Sequence, residues 1–545
     1  MPKTFGTENK SALTWIVFIA ILVSYLSFPT RNYFFDGIDF SHTIEAASRV
    51  GTSLIHPNHL IYNVVGYLFY RLLRVIGLDL RAIAALQIMD SILGVLSAYV
   101  LFLILRSCLR SVYVSLCLTL LFSFSATWWK FATDADAYIA SVLFLLISFY
   151  LILPEAQESP ERQLRRGIGK VRPFLVAFTF SIAMCFHQLA VIFFPVIVLG
   201  LLLQTHTLSW KEKGFKVVQF GTTAFILTAG AYYFCFHLTT GAFNPISFLR
   251  WTTSFSPDGG FSFDLLSALT YTLRGHARLF FGGRFNLLKG LMNPLVGVLM
   301  FALVVTICLL TYAFLKDFHK TSFRNLKLPA PDQRRGSLVL LSLVWSGVYL
   351  VFLFFWMPQH TFYRLFYLPA LILLAGLIIH PSGAAPLGTP VMTARTADSR
   401  PRKFRLALIV AVLGISNFLF LIFPYSHEQK FPPLAFALEM NKTWPPGTVI
   451  YYALANSDES LFRYFNSSTV WKKLNATAPE VLESELHDIY SKGTTAWFEV
   501  TAIDRFSATQ EGAMWLKKHA RTESLRELND PAYKIRFIQI VPAGK

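Results

Sequence analysis

Charge is what this chain has least of. Charged residues make up 15% of the 545-residue sequence, against 54% hydrophobic, and mean hydropathy is +0.49. That composition excludes an ordinary soluble globular protein and points to a chain that crosses a membrane many times. Cysteine is scarce too. Cys108, Cys117, Cys185, Cys235 and Cys308 lie in or beside apolar runs, with no metal-ligand spacing and no disulfide framework, and read as small core residues. The sequence holds no Walker loop, no G-x-G-x-x-G after a strand, no zinc spacing and no G-x-S-x-G. ATP-driven transport and serine-hydrolase chemistry are therefore unsupported.

What is present is aromatic and basic. Aromatics reach 16%, with 52 Phe, which suit lipid-facing helices, while Trp and Tyr favour the interfaces. The net charge of +18 does not imply nucleic acid. Residues 424–545 hold 14 basic and 14 acidic side chains, and the first 423 hold 35 and 17, so the excess belongs to membrane loops.

Hydropathy predicts eleven spans, near 11–28, 82–105, 111–128, 136–153, 174–186, 188–204, 217–238, 291–315, 337–356, 363–380 and 406–423. The first is read as an uncleaved anchor, because Phe28-Pro29-Thr30-Arg31 offers no small-residue cleavage site. Residues 59–78 carry Tyr62, Tyr67, Tyr70, Arg71 and Arg74 and are read as an interfacial helix. With the N-terminus inside, the inner loops hold 23 Lys and Arg against 8 acidic residues, and the outer segments of the membrane part hold 12 Lys and Arg. This orientation places the first loop, the segment 128–138, the loop 239–290 and everything after 424 outside the cytoplasm. The expected home is a bacterial inner membrane ahead of an endoplasmic reticulum.

Residues 381–403 read as a flexible cytoplasmic linker. Residues 424–545 read as a small soluble α/β domain, with strands at 448–452, 496–500 and 535–540 and helices at 458–465 and 510–519. Three N-x-S/T sequons, at Asn441, Asn466 and Asn475, fall in it.

Several constellations carry potential chemistry. Asp36 and Asp39 stand three residues apart just after the first span, suited to a base with a second binding carboxylate, or equally to capping a helix. His56-Pro57-Asn58-His59 follows; its imidazoles suit a phosphate or sugar, or an interfacial polar role. The segment Trp128–Tyr138, read as a short outer hairpin, combines aromatics with Lys130, Asp134 and Asp136, one of which suits capping the next span. His187-Gln188 interrupts about 30 apolar residues and needs a partner. His360 and Arg364 stand at the outer end of a late span, where Arg364 suits a lipid phosphate or simple snorkelling. Arg278 sits in an outer loop that is basic against the positive-inside tendency, which suggests an anionic ligand. Asp90 lies well inside a span, and an intramembrane carboxylate needs a partner that sequence does not name.

The first loop resembles that of the GT-C superfamily of multispanning glycosyltransferases, and of its protein O-mannosyltransferase-like members in particular. Those read roughly D-x-G-E-F and then H-P-P-G-x-P-L; here the stretches are Asp36-Gly37-Ile38-Asp39-Phe40 and His56-Pro57-Asn58-His59-Leu60. Arg81, opening the second span, the Asp-bearing hairpin and the late Arg364-Leu365-Phe366-Tyr367-Leu368-Pro369 run complete the likeness over residues 11–423. Asp39 stands where the family often has Glu, and Asn58-His59 replaces Pro-Gly.

The resemblance implies an α-helical polytopic membrane protein of about eleven transmembrane helices, with a glycosyltransferase body over 1–423 and an extracytoplasmic α/β domain over 424–545. It implies a polyprenyl-phosphate hexose such as mannose as donor, and a protein, lipid or glycan hydroxyl as acceptor. Attack proceeds with inversion on the extracytoplasmic face. Asp36 is the implied base and Asp39 its helper. Arg364, His56 and the basic 274–284 segment stabilise the departing phosphate. His59, Asp134, Asp136, His187, Arg278 and His360 are implied substrate-binding residues. No metal ligand is assigned, and a metal requirement stays open. A transporter or flippase of a lipid-linked or anionic solute is the alternative, favoured by Asp90 alone, since no convincing internal repeat is present. A non-catalytic membrane scaffold is a third reading.

Overall fold

The computed structural model describes residues 5–153, 162–203, 208–254, 260–261, 263–283, 305–306, 309, 312, 333–379, 399–427, 432–453, 456–466, 468–474, 479–518, 520–527 and 536–541. The chain divides into two compact units. One comprises Met1–Pro29 with Thr43–Phe423, the other Thr30–His42 with Pro424–Lys545.

The first unit is helical. Its helices are α1 (Phe5–Ser27), the end of α2 (Phe35–Ala46), α3 (Tyr62–Val75), α4 (Ala82–Leu109), α5 (Val112–Ser123), α6 (Ala126–Ala132), α7 (Ala137–Ile152), α8 (Arg162–Phe186), α9 (Phe194–Leu203), α10 (Trp210–Thr240), α11 (Pro245–Thr253), α12 (Leu265–Phe280), α13 (Gln333–Phe355), α14 (Leu368–Ile379) and α15 (Ser399–Asn417). Among the described residues, Ala82–Leu109, Arg335–Phe355 and Lys403–Tyr425 are long and apolar enough to cross a membrane. Val112–Ser123 and Ala126–Ala132 make a fourth if counted as one span bent by 69°. Ala12–Ser27, Ala137–Ile152, Val171–Phe186, Gln188–Leu203 and Leu368–Ile379 are apolar but shorter, 10–17 residues. At about 1.5 Å per residue such helices fall short of a ~30 Å hydrocarbon core, so hydropathy counts more crossings than helix length does. The stretch expected over 291–315 lies almost wholly outside the described residues, as does most of the linker over 381–403.

Helix α3 has 14 residues, roughly 21 Å, too short to span. Its outer face carries Leu68, Leu72 and Val75 exposed, with the Arg71 and Arg74 guanidinium groups over the rings of Tyr67 and Tyr70 at 5.9 and 5.7 Å. Apolar surface edged by aromatic-supported arginines is the pattern of an interfacial helix.

Small residues and hydroxyls bring the apolar helices together, as expected where lipid removes the hydrophobic drive between them. Gly94 of α4 sits where an added Cβ would lie 2.9 Å from the Ala132 side chain. Ser141 donates to Ala183 O at 2.8 Å and Ser148 pairs with Thr179 at 2.7 Å, joining α7 to α8. Thr228 donates to Ser181 at 3.0 Å and Tyr232 to Met184 O at 3.1 Å, joining α10 to α8. The predicted span over 111–128 is broken at Phe124-Ser125, and the fully buried Asn417 answers that break. Its amide nitrogen donates to Phe124 O at 2.8 Å and Phe280 O at 2.7 Å, and its oxygen accepts from Gly282 N at 2.9 Å.

The second unit contains a five-stranded sheet of β1 (Val449–Tyr452), β2 (Val470–Lys473), β3 (Ala496–Glu499), β4 (Ala520–Glu527) and β5 (Arg536–Val541), ordered β2-β1-β3-β5-β4. β1 pairs in parallel with β2 and β3, whereas β5 runs antiparallel to β3 and β4. The fully buried β1 and β3 are aromatic-rich and stand out in the sequence, but β2 (VWKK) and β4 (ARTESLRE) are polar edge strands and do not. Asn441 is exposed and Asn466 fully buried, while Asn475 lies outside the described residues.

The close approach of α9 to α7 is testable. A Cβ on Gly200 would meet Ile152 Cδ1 at 2.5 Å and its Cγ1 and Cβ at 3.0 and 3.1 Å, whereas Gly221 on α10 faces open space. Gly200→Ala should cost about 1–3 kcal/mol of stability, and Gly221→Ala should be neutral or stabilising by up to about 1 kcal/mol. Thermal unfolding in detergent reads the difference; equal midpoints would contradict the packing.

Candidate functional site

The polar residues of the first unit converge on the turn between α6 and α7. Burying a turn leaves its amides and carbonyls without water, and each must find a partner. One face of α4 supplies them through the spacing i, i+3, i+4. Gln87 donates to Thr133 O at 3.0 Å, and Ser91 to Ala132 O at 3.0 Å. One Asp90 carboxylate oxygen accepts from Asp136 N at 2.7 Å and from the Tyr62 hydroxyl at 2.8 Å. Asp90, fully buried, thus ties the turn to α3. The intramembrane carboxylate whose partner sequence did not name is a fastener.

The two carboxylates of the turn are also engaged there. Asp134, fully buried, pairs with Lys130 at 2.6 Å and accepts from Ala135 N at 2.9 Å. Asp136, equally buried, caps α7 by accepting from Tyr138 N at 3.2 Å. The expected hairpin over 128–138 is instead a short buried helix through Ala132 followed by a tight turn, because Ala126–Ala132 packs inward where a surface loop was expected.

Beside Tyr138 lies a histidine cluster. His56 is extended, as a residue before proline prefers, and Pro57–His59 form a 3₁₀ turn. This turn is docked onto the end of α8, with Ile61 N donating to Cys185 O at 3.2 Å. Gln188 then clamps it, donating to Pro57 O and to Thr252 O of α11, both at 3.0 Å. The His59 ring lies 5.5 Å from His56 and 4.8 Å from His187, and the His187 ring lies 4.8 Å from Tyr138. Phe362 stacks on Tyr138 at 5.3 Å, and Tyr363 reaches Tyr138 and His187 at 5.7 and 6.0 Å. His360, half-buried, stands 4.9 Å from Phe362.

Burial makes the charged imidazoles unfavourable. It lowers His56 to about 4 and His187 to about 3, and it holds His59 well below the usual range, helped by its two neighbours. The His360 and His276 imidazoles are lowered as well, first by burial and then, in part, by Arg364.

Arg364 corrects the expectation of an outward-facing phosphate ligand. It is 1% exposed, and its guanidinium donates to the carbonyls of His360 at 2.8 Å, Pro358 at 2.7 Å and Tyr271 at 3.5 Å. Gly275 of α12 closes over it; an added Cβ would collide with the guanidinium carbon. Next to Gly275, His276 donates from Nδ1 to Thr272 O at 2.8 Å and accepts at Nε2 from the Tyr367 hydroxyl at 2.9 Å. Among the described residues no carboxylate pairs with Arg364. Met357, which opens this loop, has φ 52°, a left-handed conformation that is strained for a non-glycine residue. Arg278 is exposed on α12, and its carbonyl accepts from Thr127 at 3.0 Å.

The structure thus brings together His56, His59, His187, His360, Asp134 and Asp136. Asp36 and Asp39 belong to the second unit, Asp36 half-buried in the first turn of α2 and Asp39 exposed one turn on. The sequence suggested a loop there, but the chain is helical from Phe35. Arg81 pairs with Glu45 at 2.8 Å, and Glu45 also accepts from Ala82 N at 2.8 Å, capping α4. Gln87, Ser91 and Gly275 were not singled out from the sequence, and Tyr62, His276 and Tyr367 were noted there only as parts of the amphipathic helix, the basic outer loop and the late Arg364–Pro369 run. The i, i+3, i+4 row of Gln87, Asp90 and Ser91 in an apolar helix was the available signal. Among the described residues no group of three or more His, Cys, Asp or Glu is placed to hold a metal ion.

Two predictions follow from this geometry. Asp90→Asn should be tolerated, since an amide oxygen still accepts, whereas Asp90→Leu strands two buried donors and should cost about 2–5 kcal/mol, read by thermal unfolding. Equal effects would contradict the fastening role. The neutral histidines make stability acid-sensitive. An unfolded imidazole protonates near pH 6.5, while the folded ones resist to about 4 or 3. Between about pH 6.5 and 4 the unfolded chain therefore binds more protons, and stability falls as pH falls. His187→Asn should flatten the dependence of the unfolding midpoint on pH in that window; an unchanged slope would contradict the burial of a neutral ring.

Comparison with known proteins is consistent with this architecture. Residues 61–210 match the family model described as protein O-mannosyl-transferase TMEM260 N-terminal domain. No curated protein matches the whole sequence significantly. The structure superposes on ArnT from Cupriavidus metallidurans bound to undecaprenyl phosphate, with a TM-score of 0.57 and 12% identity, covering 98% of each chain. The apo form gives 0.58 and 12%, covering 97% of this chain and 98% of ArnT. The Archaeoglobus fulgidus oligosaccharyltransferase, solved with a tethered acceptor peptide, gives 0.48 and 11%, covering 99% of this chain and 76% of that one. The matched segment holds α3, Asp90, the Asp134/Asp136 turn and His187. The chain shares the fold of ArnT, and its residues 61–210 are similar to the N-terminal domain of a protein O-mannosyl-transferase.

Proposed function

We propose that the protein is an integral membrane glycosyltransferase that moves a hexose, mannose in the first instance, from a polyprenyl-phosphate carrier to an acceptor hydroxyl. Transfer takes place on the extracytoplasmic face with inversion. The observation that carries this reading is that the O-mannosyltransferase-like segment contains the rigid His187–Tyr138 corner and the buried knot beneath it. The ArnT structure with undecaprenyl phosphate supports a lipid carrier as donor. Eleven crossings with a cytoplasmic N-terminus, a catalytic body over 1–423 and an extracytoplasmic domain over 424–545 belong to the same proposal, with a bacterial inner membrane as its setting.

In this reading Asp36 deprotonates the acceptor hydroxyl and Asp39 orients it, roles taken from the first-loop resemblance. The hydroxyl oxygen attacks the anomeric carbon, and the carbon–oxygen bond to the phosphate breaks, leaving the carrier phosphate with the electron pair. His56, His59, His187 and His360 contact the donor, and Asp134 and Asp136 hold the turn that backs them. The exposed Arg274 and Arg278 meet the phosphate charge in place of the buried Arg364. Transport loses its sequence support, because Asp90 is accounted for as a fastener.

The test is transfer of radiolabel from undecaprenyl-phosphate mannose to endogenous acceptors in membranes carrying the protein. Asp36→Asn should lower the rate by about 10²–10⁴-fold and Asp39→Asn by less. Full transfer in both variants would remove the assigned base. Solute uptake into vesicles with no transfer would make the protein a transporter.

A further inference from the structure

His187 is a ring whose proton can be located. Its Nδ1 lies 3.0 Å from Leu189 N, and a backbone N–H only donates, so Nδ1 must accept. A neutral imidazole with a bare Nδ1 carries its hydrogen on Nε2. That Nε2–H is buried and has no partner among the described residues, although His187 is only 2% exposed. His59 is fixed in the opposite sense. Its Nδ1 lies 3.3 Å from Phe186 O, which only accepts, so Nδ1 carries the hydrogen and Nε2 faces the Asn58 amide at 3.4 Å. Both rings are held rigidly. His187 N donates to Ala183 O and Ala190 N to His187 O, and Gln188 is clamped to two carbonyls.

A buried donor left without an acceptor keeps the full cost of its lost hydration, which an acceptor oxygen on a bound molecule would remove. Here the donor is uncharged, and its surroundings are rings: Tyr138 at 4.8 Å, Phe366 at 5.3 Å and Tyr363 at 6.0 Å. A phosphate would call for a cation at that point. A neutral donor set among aromatic faces suits a pyranose, whose C–H face packs on rings while one hydroxyl or ring oxygen accepts a hydrogen bond. We propose that His187 Nε2–H is a specificity donor for an oxygen of the transferred sugar, and not for the phosphate of its carrier. This rests on the glycosyltransferase reading and deepens it by assigning which half of the donor the histidine reads.

The experiment is equilibrium binding of two lipids, undecaprenyl phosphate and undecaprenyl-phosphate mannose, to the full chain in lipid nanodiscs. His187→Asn keeps an oxygen that accepts from Leu189 N, so the turn stays capped while the Nε2–H donor is lost. It should weaken the mannosylated lipid about tenfold and leave the bare lipid within about twofold, with an unfolding midpoint near the native one at pH 7.5. His187→Gln, whose amide reaches the Nε2 position, should regain part of the loss. Equal weakening for both lipids, or none for either, overturns the assignment while leaving carrier binding intact. A native protein that binds neither lipid overturns the glycosyltransferase reading itself, and this inference with it.

Discussion

A turn buried among apolar helices survives only if every amide and carbonyl in it is answered. In residues 132–136 one helix face answers three groups: Gln87 and Ser91 donate to the carbonyls of Thr133 and Ala132, and Asp90 accepts from the amide of Asp136, while the amides of Thr133, Asp134 and Ala135 are answered locally. Water cannot substitute at full burial, so the knot sets the height at which α6 ends and α7 begins. Tyr138 follows one residue into α7, and its place relative to His187 and Phe362 is fixed by the same bonds. The extension from Asp90 to Tyr62 brings α3 into register with the turn. One carboxylate oxygen thus aligns three elements distant in sequence.

Around that point, the histidines are organised by geometry more than by charge. Burial keeps His56, His59 and His187 neutral, and backbone groups decide which nitrogen of His59 and of His187 bears the proton. Neutral rings in opposite tautomers provide one donor and one acceptor without importing charge into an apolar setting. The carboxylates Asp134 and Asp136 do what buried acids do most economically, pairing with a lysine and capping a helix.

Much of this was legible in sequence, for physical reasons. Apolar run lengths showed where the long helices lie, and the short amphipathic stretch with Arg71 and Arg74 showed the separate short helix α3. Asp136 read as a cap because it directly precedes an apolar run. What was not legible depended on distant partners. Nothing local shows that the span after Val112 breaks at Phe124, since the residue that completes the break is Asn417. Nothing local shows that Arg364 turns inward, since its cover is Gly275. Strands β2 and β4 were missed because edge strands need little apolar character, and the helical start of α2 was missed because Gly37 breaks the pattern.

The Arg364 loop carries one consequence. Carbonyl dipoles solvate a guanidinium but do not cancel its charge, and no carboxylate among the described residues does so. In a medium of low dielectric an uncancelled unit charge is felt well beyond contact range. The loop from Met357 to Arg364 therefore works as a fixed electrode: it biases the potential over the neighbouring face of α12 toward anions without touching any of them.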